Sequence, residues 1–97
     1  MRNLEDIKSI LQSHKEEINK KYGAVEIGIF GSYVKNEHDE VSDVDILVEF
    51  SKAIDLLTFV NLKNYLSELL NVNVDLVMKK ALKPNIGQRI LKEVIYI

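Results

Sequence analysis

Three aspartates stand where a small β-sheet could bring their carboxylates to one place. Asp43 and Asp45 are two residues apart in the segment DVDILVEF, and Asp75 lies in the segment VNVDLVM. Alternate side chains of a strand point to the same face, and neighbouring strands are only ~4.8 Å apart. An all-oxygen cluster of this kind suits Mg²⁺, which binds one or two carboxylates together with water and substrate phosphates. The three residues therefore indicate a candidate site for two Mg²⁺ ions, which could bridge them to a nucleoside triphosphate.

Taken alone, the Asp-Val-Asp pair has a simpler interpretation. Acidic residues are common on the solvated face of a strand. Asp43 would then be a turn residue before the strand, and Asp75 would be a surface residue. This interpretation is favoured for an isolated pair, so a metal site needs further support from the surrounding sequence.

A Gly-Ser pair provides a possible phosphate contact. Gly31 and Ser32 follow the apolar segment VEIGIF and precede a stretch that reads as a short helix. Glycine lets the backbone approach a phosphate closely, and the N–H groups at the start of a helix and the Ser32 hydroxyl can donate hydrogen bonds to it. Lys35, one helical turn further on, could reach a phosphate oxygen. Each feature alone is more often a plain turn, an N-cap or a solvated lysine.

The elements that position these residues follow from hydrophobic periodicity and from the glycines and the proline. The sequence predicts an amphipathic helix over 3–22, capped by Asn3 and ended by Gly23, and a final helix that starts near Pro84. A second long helix is predicted over 54–70, with apolar residues on or near one face at Leu57, Leu62, Leu66, Leu69 and Leu70. Strands are predicted over 25–30, 43–50 and 72–78, with a turn, a short helix and a loop over 31–42. The final VIYI either frays or adds an edge strand.

This order of elements predicts an α+β two-layer fold, with helices against one face of a small sheet. In the strand 43–50 the apolar residues Val44, Ile46 and Val48 alternate with the two aspartates. The apolar set can pack against the helices. The carboxylates then lie on the face that the helices leave open.

Composition limits the classes of protein to consider. The 97 residues include 13 basic and 15 acidic side chains, a balance that argues against a general nucleic-acid binder. There is no cysteine, which excludes disulfides, thiolate metal sites and cysteine nucleophiles. The length predicts one domain over 1–97, and the short apolar runs and lack of a signal-peptide pattern favour a cytoplasmic location without membrane contact. The charge is uneven: six acids and no bases lie in 37–50, and five bases and no acids lie in 79–92.

In combination, the motifs resemble those of the DNA polymerase β-type nucleotidyltransferase superfamily. Gly31-Ser32 is followed by ten residues and then by Asp43-Val44-Asp45, and a later strand carries Asp75. Within the superfamily the chain is similar to the minimal nucleotidyltransferase (MNT) family, in the segments IGIFGSYVKNE, SDVDILVEF, VDLVMKKALKP and ILKEVIYI. The resemblance implies the polymerase β-like fold with a mixed sheet.

The resemblance also implies roles for individual residues. Gly31 and Ser32 would hold the phosphates of the nucleotide, together with Lys35. Asp43 and Asp45 would bind Mg²⁺, and Asp75 would complete the metal site and help to deprotonate the acceptor hydroxyl. Members of the family commonly carry Arg-Gly where this chain has Lys35-Asn36, and lysine lacks the bidentate fork of arginine. Phosphate affinity or rate is therefore expected to differ, while the metal site is not affected.

The family implies a biological role as well. MNT proteins often act as antitoxins that transfer AMP from ATP to a tyrosine hydroxyl of a HEPN-domain toxin, an RNase, and so silence it. Because 97 residues leave no room for an acceptor-binding domain, we expect an acceptor that is small or brings its own docking surface. We therefore expect a Mg²⁺- and ATP-dependent protein adenylyltransferase that forms a hetero-oligomer with a HEPN toxin and binds no specific nucleic acid.

Two other functions stay open at this point. The protein could neutralise a toxin by complex formation alone, with the basic segment 79–92 and the exposed part of helix 54–70 as docking surfaces. Alternatively, it could transfer a nucleotide to a small molecule, although no segment remains to build a pocket for one. The base preference, the number of nucleotides added and the stoichiometry of a complex do not follow from the sequence.

Overall fold

The fold is built on a mixed β-sheet with helices between its strands. The computed structural model describes residues 3–37, 39 and 42–97, and these residues form the elements named here. The helices are α1 (Leu4–Tyr22), α2 (Ser32–Lys35), α3 (Leu56–Leu70) and α4 (Pro84–Glu93), and a 3-10 turn spans Lys79–Ala81. The strands are β1 (Ala24–Phe30), β2 (Val44–Phe50), β3 (Val74–Met78) and β4 (Ile95–Tyr96). Within the described ranges, no helix combines the length and the apolar character that crossing a bilayer requires.

The described strands form one sheet in the order β3-β2-β1-β4. The central strand β2 is antiparallel to β1 and parallel to β3, and β4 is antiparallel to β1. The predicted α+β fold with a mixed sheet is confirmed. The final residues take the edge-strand alternative, with Ile95 opposite Ile29 and Tyr96 opposite Gly28.

The main core lies between the sheet and the helices α1 and α3. It joins the apolar face of β2 to the buried sides of these two helices, as the alternation in strand 43–50 predicts. A fully buried aliphatic side chain contributes ~1.5–3 kcal/mol relative to leaving it in water. The largest fully buried members of this core are Ile7, Leu11, Ile18, Ile27, Ile29, Ile46, Leu62, Leu66 and Leu70.

The opposite face of the sheet is not open throughout. Phe30 and Leu47 are buried there although they do not belong to the main core cluster. The C-terminal segment covers part of this face, because a Cβ added at Gly28 would collide with the side chain of Val94. The candidate site therefore lies beside a covered part of the sheet.

Helix boundaries follow the local capping chemistry. Asn3 accepts a hydrogen bond from the Asp6 N–H at 2.9 Å, and Gly23 adopts φ 74°, so both predicted ends of α1 are confirmed. The helix predicted over 54–70 begins later, at Leu56, because Asp55 is its N-cap and accepts from the Thr58 N–H at 2.8 Å.

Two predictions about α3 and the strand after it are wrong. Leu57 lies outside the core and is 68% exposed, because it is about half a turn around α3 from Leu62 and Leu66, on the side that faces away from the sheet. The third strand begins at Val74 rather than at residue 72, because Asn71 adopts φ 54° and Val72 still donates a backbone hydrogen bond to Ser67. The loop residues His38, Glu40 and Val41 lie outside the described residues.

Candidate active site

Strand register brings two of the predicted site residues side by side. Asp45 of β2 is the direct partner of Asp75 in the parallel strand β3. On its other side Asp45 is opposite Phe30, the last residue of β1. The two carboxyls point away from the main core, since Val44, Ile46 and Val74 occupy it. The start of β2, the start of β3 and the end of β1 thus meet at one edge of the sheet.

The loop after β1 lies directly against the Asp45 carboxyl group. Gly31 adopts φ 80° and ψ −148°, a conformation that is essentially restricted to glycine. A Cβ added at Gly31 would collide with Oδ2 of Asp45. The Gly31 carbonyl accepts hydrogen bonds from the N–H groups of Val34 and Lys35, both at 3.1 Å, which starts helix α2. The glycine thus allows the turn and brings the backbone at the start of α2 next to the Asp45 carboxyl group.

The electrostatic character of the site is concentrated on Asp45. The pKa of Asp45 is raised from its ordinary value of 3.8 to about 6, and burial of the side chain is the largest cause. The negative charge of Asp75, a hydrogen bond to the Asp75 carboxyl, and the charges of Asp43 and Glu93 supply the rest of this rise in the pKa. Three other acidic groups therefore oppose ionisation of this one partly buried carboxyl.

Asp43 and Lys35 take different places from the two paired aspartates. Asp43 is exposed and immediately precedes β2, so its negative charge opposes ionisation of Asp45 from just before the first residue of the strand. Lys35 is about half exposed, and its Nζ lies 3.4 Å from Oε2 of Glu93. The cation that the sequence suggests for phosphate binding is therefore already paired with an acid.

Sequence reasoning missed Glu93. This residue ends α4, and its Oε1 accepts a hydrogen bond from the Gly31 N–H at 3.2 Å. The only signal in the sequence is that Glu93 is the first acid after the basic segment 79–92. That signal does not indicate a contact with a loop more than sixty residues earlier in the chain.

The donor set at this edge of the sheet fits Mg²⁺. Across residues 3–37, 39 and 42–97, no three His, Cys, Asp or Glu side chains are close enough in this arrangement to hold a metal ion. Asp45 and Asp75, however, are register partners, and the negative charge of Asp75 opposes ionisation of Asp45. A divalent cation between them could offset this repulsion, because carboxylate oxygens are the ligands that Mg²⁺ prefers.

We expect the Asp45→Asn variant to be more stable than the wild type at neutral pH without metal. The rise in pKa would correspond to ~3 kcal/mol for a fully buried group, and solvent screening of this partly exposed side chain reduces the effect to about 1 kcal/mol. For a chain of this size, a change of about 1 kcal/mol raises the Tm by ~4–8 °C.

The pH dependence of this gain has a definite sign. Between about pH 4 and pH 6 the folded state keeps the Asp45 proton while the unfolded state loses it, so wild-type stability falls as pH rises. The Tm difference between Asp45→Asn and wild type should therefore be small near pH 4 and reach its full size above about pH 6. Thermal denaturation in EDTA at several pH values measures it. An equal difference at pH 4 and pH 7 would contradict the effect of the charge.

Comparison with known proteins identifies relatives along the whole chain. The sequence profile of the family described as "Nucleotidyltransferase domain" matches residues 11–97. A protein of Thermococcus cleftensis named protein adenylyltransferase MntA is 52% identical over 97 residues, covering 100% of this chain and 98% of that protein.

Solved structures give the same family and the same fold. A structure provisionally named a minimal nucleotidyltransferase matches with a TM-score of 0.83 and 34% identity, covering 97% of this chain and 95% of its own. Two complexes below 25% identity share the fold: a toxin–antitoxin crystal structure with AMP-PNP and a tri-AMPylated Shewanella oneidensis HEPN toxin with an MNT antitoxin. The complex with AMP-PNP has a TM-score of 0.73 at 23% identity, and the match covers 94% of this chain and 71% of that chain. The complex with the AMPylated toxin has a TM-score of 0.67 at 20% identity, and the match covers 93% of this chain and 70% of that chain. This chain belongs to the nucleotidyltransferase domain family, which confirms the resemblance seen in its motifs and the prediction that it is an enzyme.

Proposed function

We propose that this protein is a Mg²⁺-dependent adenylyltransferase that transfers AMP from ATP to a tyrosine hydroxyl of a HEPN-domain toxin and thereby acts as its antitoxin. The observation that carries the proposal is the contact between Gly31 and Asp45 beside Asp75. The name of the Thermococcus relative and the AMPylated HEPN toxin in the similar complex support the reaction and the partner. The complex with AMP-PNP supports ATP as the substrate.

The chain's own residues would divide the work of the reaction. The Gly31 N–H, the Ser32 hydroxyl and the Lys35 ammonium group would donate hydrogen bonds to phosphate oxygens and orient the α-phosphorus. Asp43, Asp45 and Asp75 would hold Mg²⁺, which supplies compensation for the negative charge of the phosphates. The tyrosine oxygen would form a bond to the α-phosphorus as the bond from that phosphorus to pyrophosphate breaks. Asp75, at the exposed side of the pair, would accept the hydroxyl proton.

The direct test is a transfer assay with the protein's own partner. We expect that incubation with Mg²⁺, ATP and the product of the adjacent gene, which the proposal requires to be a HEPN protein, adds AMP-sized mass increments to that partner. EDTA should abolish the additions, and a Tyr→Phe change at the modified position of the partner should remove them. If no addition forms over a range of metals and nucleotides, the proposal is wrong.

A second candidate function is neutralisation by binding alone. The observation that favours it is the exposed apolar surface at the start of α3, where Leu56 is 77% exposed and Leu57 is 68% exposed. The basic segment 79–92 contributes less to a docking surface than its positive charge suggests. Lys79, for example, donates a hydrogen bond to Glu26 at 2.8 Å and lies over the ring of Tyr96. Catalysis and binding are separated by the double aspartate variant discussed below.

A further inference from the structure

The carboxylate of Glu93 occupies the groups that the proposed function gives to phosphate. Its Oε1 accepts from the Gly31 N–H at 3.2 Å, and its Oε2 lies 3.4 Å from Nζ of Lys35. The Glu93 side chain is 23% exposed, so most of it is enclosed between α4, the Gly31 loop and α2. A carboxylate that binds one backbone N–H and one ammonium group satisfies the same donors as two oxygens of a phosphate.

We propose that Glu93 is an internal competitor of the nucleotide: it holds the Gly31 N–H and Lys35 in the free protein and must leave them when the phosphates of ATP bind. This inference rests on the proposed function, because it takes Gly31 and Lys35 as phosphate contacts. Glu93 would then set the nucleotide affinity without touching the reacting atoms.

The charges around the site favour displacement over joint occupancy. A phosphate beside the Gly31 N–H would lie within contact distance of the Glu93 carboxylate, and two anions so close repel each other. The Glu93 charge also acts on Asp45, where it opposes ionisation. Rotation of Glu93 away from the loop would free two donors and remove one negative charge from the neighbourhood of the metal ligands.

The backbone around Glu93 allows this movement to stay local. Val94 donates a backbone hydrogen bond to Ile90 at 2.9 Å, which closes α4, and β4 pairs with β1 directly afterwards. The main chain is thus held on both sides of Glu93. We therefore expect the side chain alone to rotate on nucleotide binding, and the fold to tolerate a substitution at this position.

The test compares Glu93→Gln with wild type by isothermal titration calorimetry, using Mg²⁺-ATP and inorganic tripolyphosphate as probes. Glutamine keeps the shape and loses the charge, so the Kd for both probes should decrease about two- to fivefold, as expected for loss of one competing ion pair. Glu26→Gln is the matched control, because it removes a Lys–Glu pair (with Lys79) of similar exposure elsewhere on the sheet. Its Kd values should equal those of the wild type.

Three outcomes would overturn the inference: unchanged binding in Glu93→Gln, weaker binding, or no binding of tripolyphosphate to either protein. Weaker binding would mean that Glu93 holds Lys35 or a metal ion for the nucleotide instead of competing with it. Failure of the proposed function has a different signature, because AMP transfer to the partner would then be absent while tripolyphosphate still bound more tightly to Glu93→Gln.

Discussion

Replacing Asp43 and Asp45 together with asparagine is expected to reduce AMP transfer to the partner by roughly 10³-fold or more. The two carboxylates are proposed to hold Mg²⁺, and loss of a metal ion removes several kcal/mol of transition-state stabilisation, at ~1.4 kcal/mol for each factor of ten. The fold should survive, because Asp43 is exposed and Asp45 lies on the side of β2 away from the main core. Single-turnover transfer, followed by intact mass of the partner, measures the loss.

Complex formation should not change in this variant, and native mass spectrometry with the partner checks it. A matched control is the double variant Asp6→Asn with Glu49→Gln. It removes two acids as well, and Glu49 even lies on the same face of β2 as Asp45, but neither residue contacts the Gly31 loop. If Asp43→Asn/Asp45→Asn still silences the toxin as well as wild type does, neutralisation by binding is the function and the catalytic proposal is wrong.

Gly31→Ala is expected to lower both activity and stability. The backbone at Gly31 has φ 80° and ψ −148°, and holding a non-glycine residue there costs ~1–3 kcal/mol. The added methyl group would also meet Oδ2 of Asp45, and overpacking of this kind costs ~1–3 kcal/mol. Either the loop or the carboxylate must move, so we expect transfer to fall about 10²-fold, as for other displacements of a reacting group by ~1 Å. Urea denaturation and the transfer assay measure the two effects.

Gly23→Ala separates backbone strain from damage to the site. Gly23 also has a positive φ of 74°, but the nearest atom to an added Cβ is Ser51 Oγ at 3.6 Å, an ordinary contact. We expect this control to lose about 1–2 kcal/mol of stability, the cost of the left-handed backbone for alanine, and to keep its transfer rate. Wild-type transfer in Gly31→Ala would show that the reaction does not need the close approach of the loop to Asp45.

Local signals in the sequence were enough for most of the fold. Asn3, Gly23 and Pro84 each determine a helix end through their own backbone or side-chain chemistry, and the structure places them as predicted. The alternation in β2 likewise separates Ile46 from Asp45, because a strand has only two faces. Leu57 shows where the prediction failed: it precedes Leu62 by five residues and Leu66 by nine, which places it about 140–180° away from them around α3, on the side that faces away from the sheet.

The candidate site, too, could be predicted only in part from the sequence. The direct pairing of Asp45 with Asp75 depends on the register between β2 and β3. The sequence is compatible with this register but does not determine which strands are neighbours or which of their residues are paired. The contact of Glu93 with the Gly31 loop depends on how the C-terminal segment crosses the far side of the sheet. No spacing rule connects two positions so far apart in the chain, so this contact follows only from the tertiary structure.

The parallel pairing of β2 with β3 determines how late in its synthesis a nascent chain can assemble the complete candidate site. Parallel strands need a crossover between them, here helix α3, so they cannot meet before that helix has been synthesised and has folded back. The antiparallel hairpin of β1 and β2 can bring Gly31 to Asp45 much earlier, but it lacks Asp75. A ribosome-bound chain that has not yet released β3 would thus carry the loop without its full set of acids, and would be unable to modify anything.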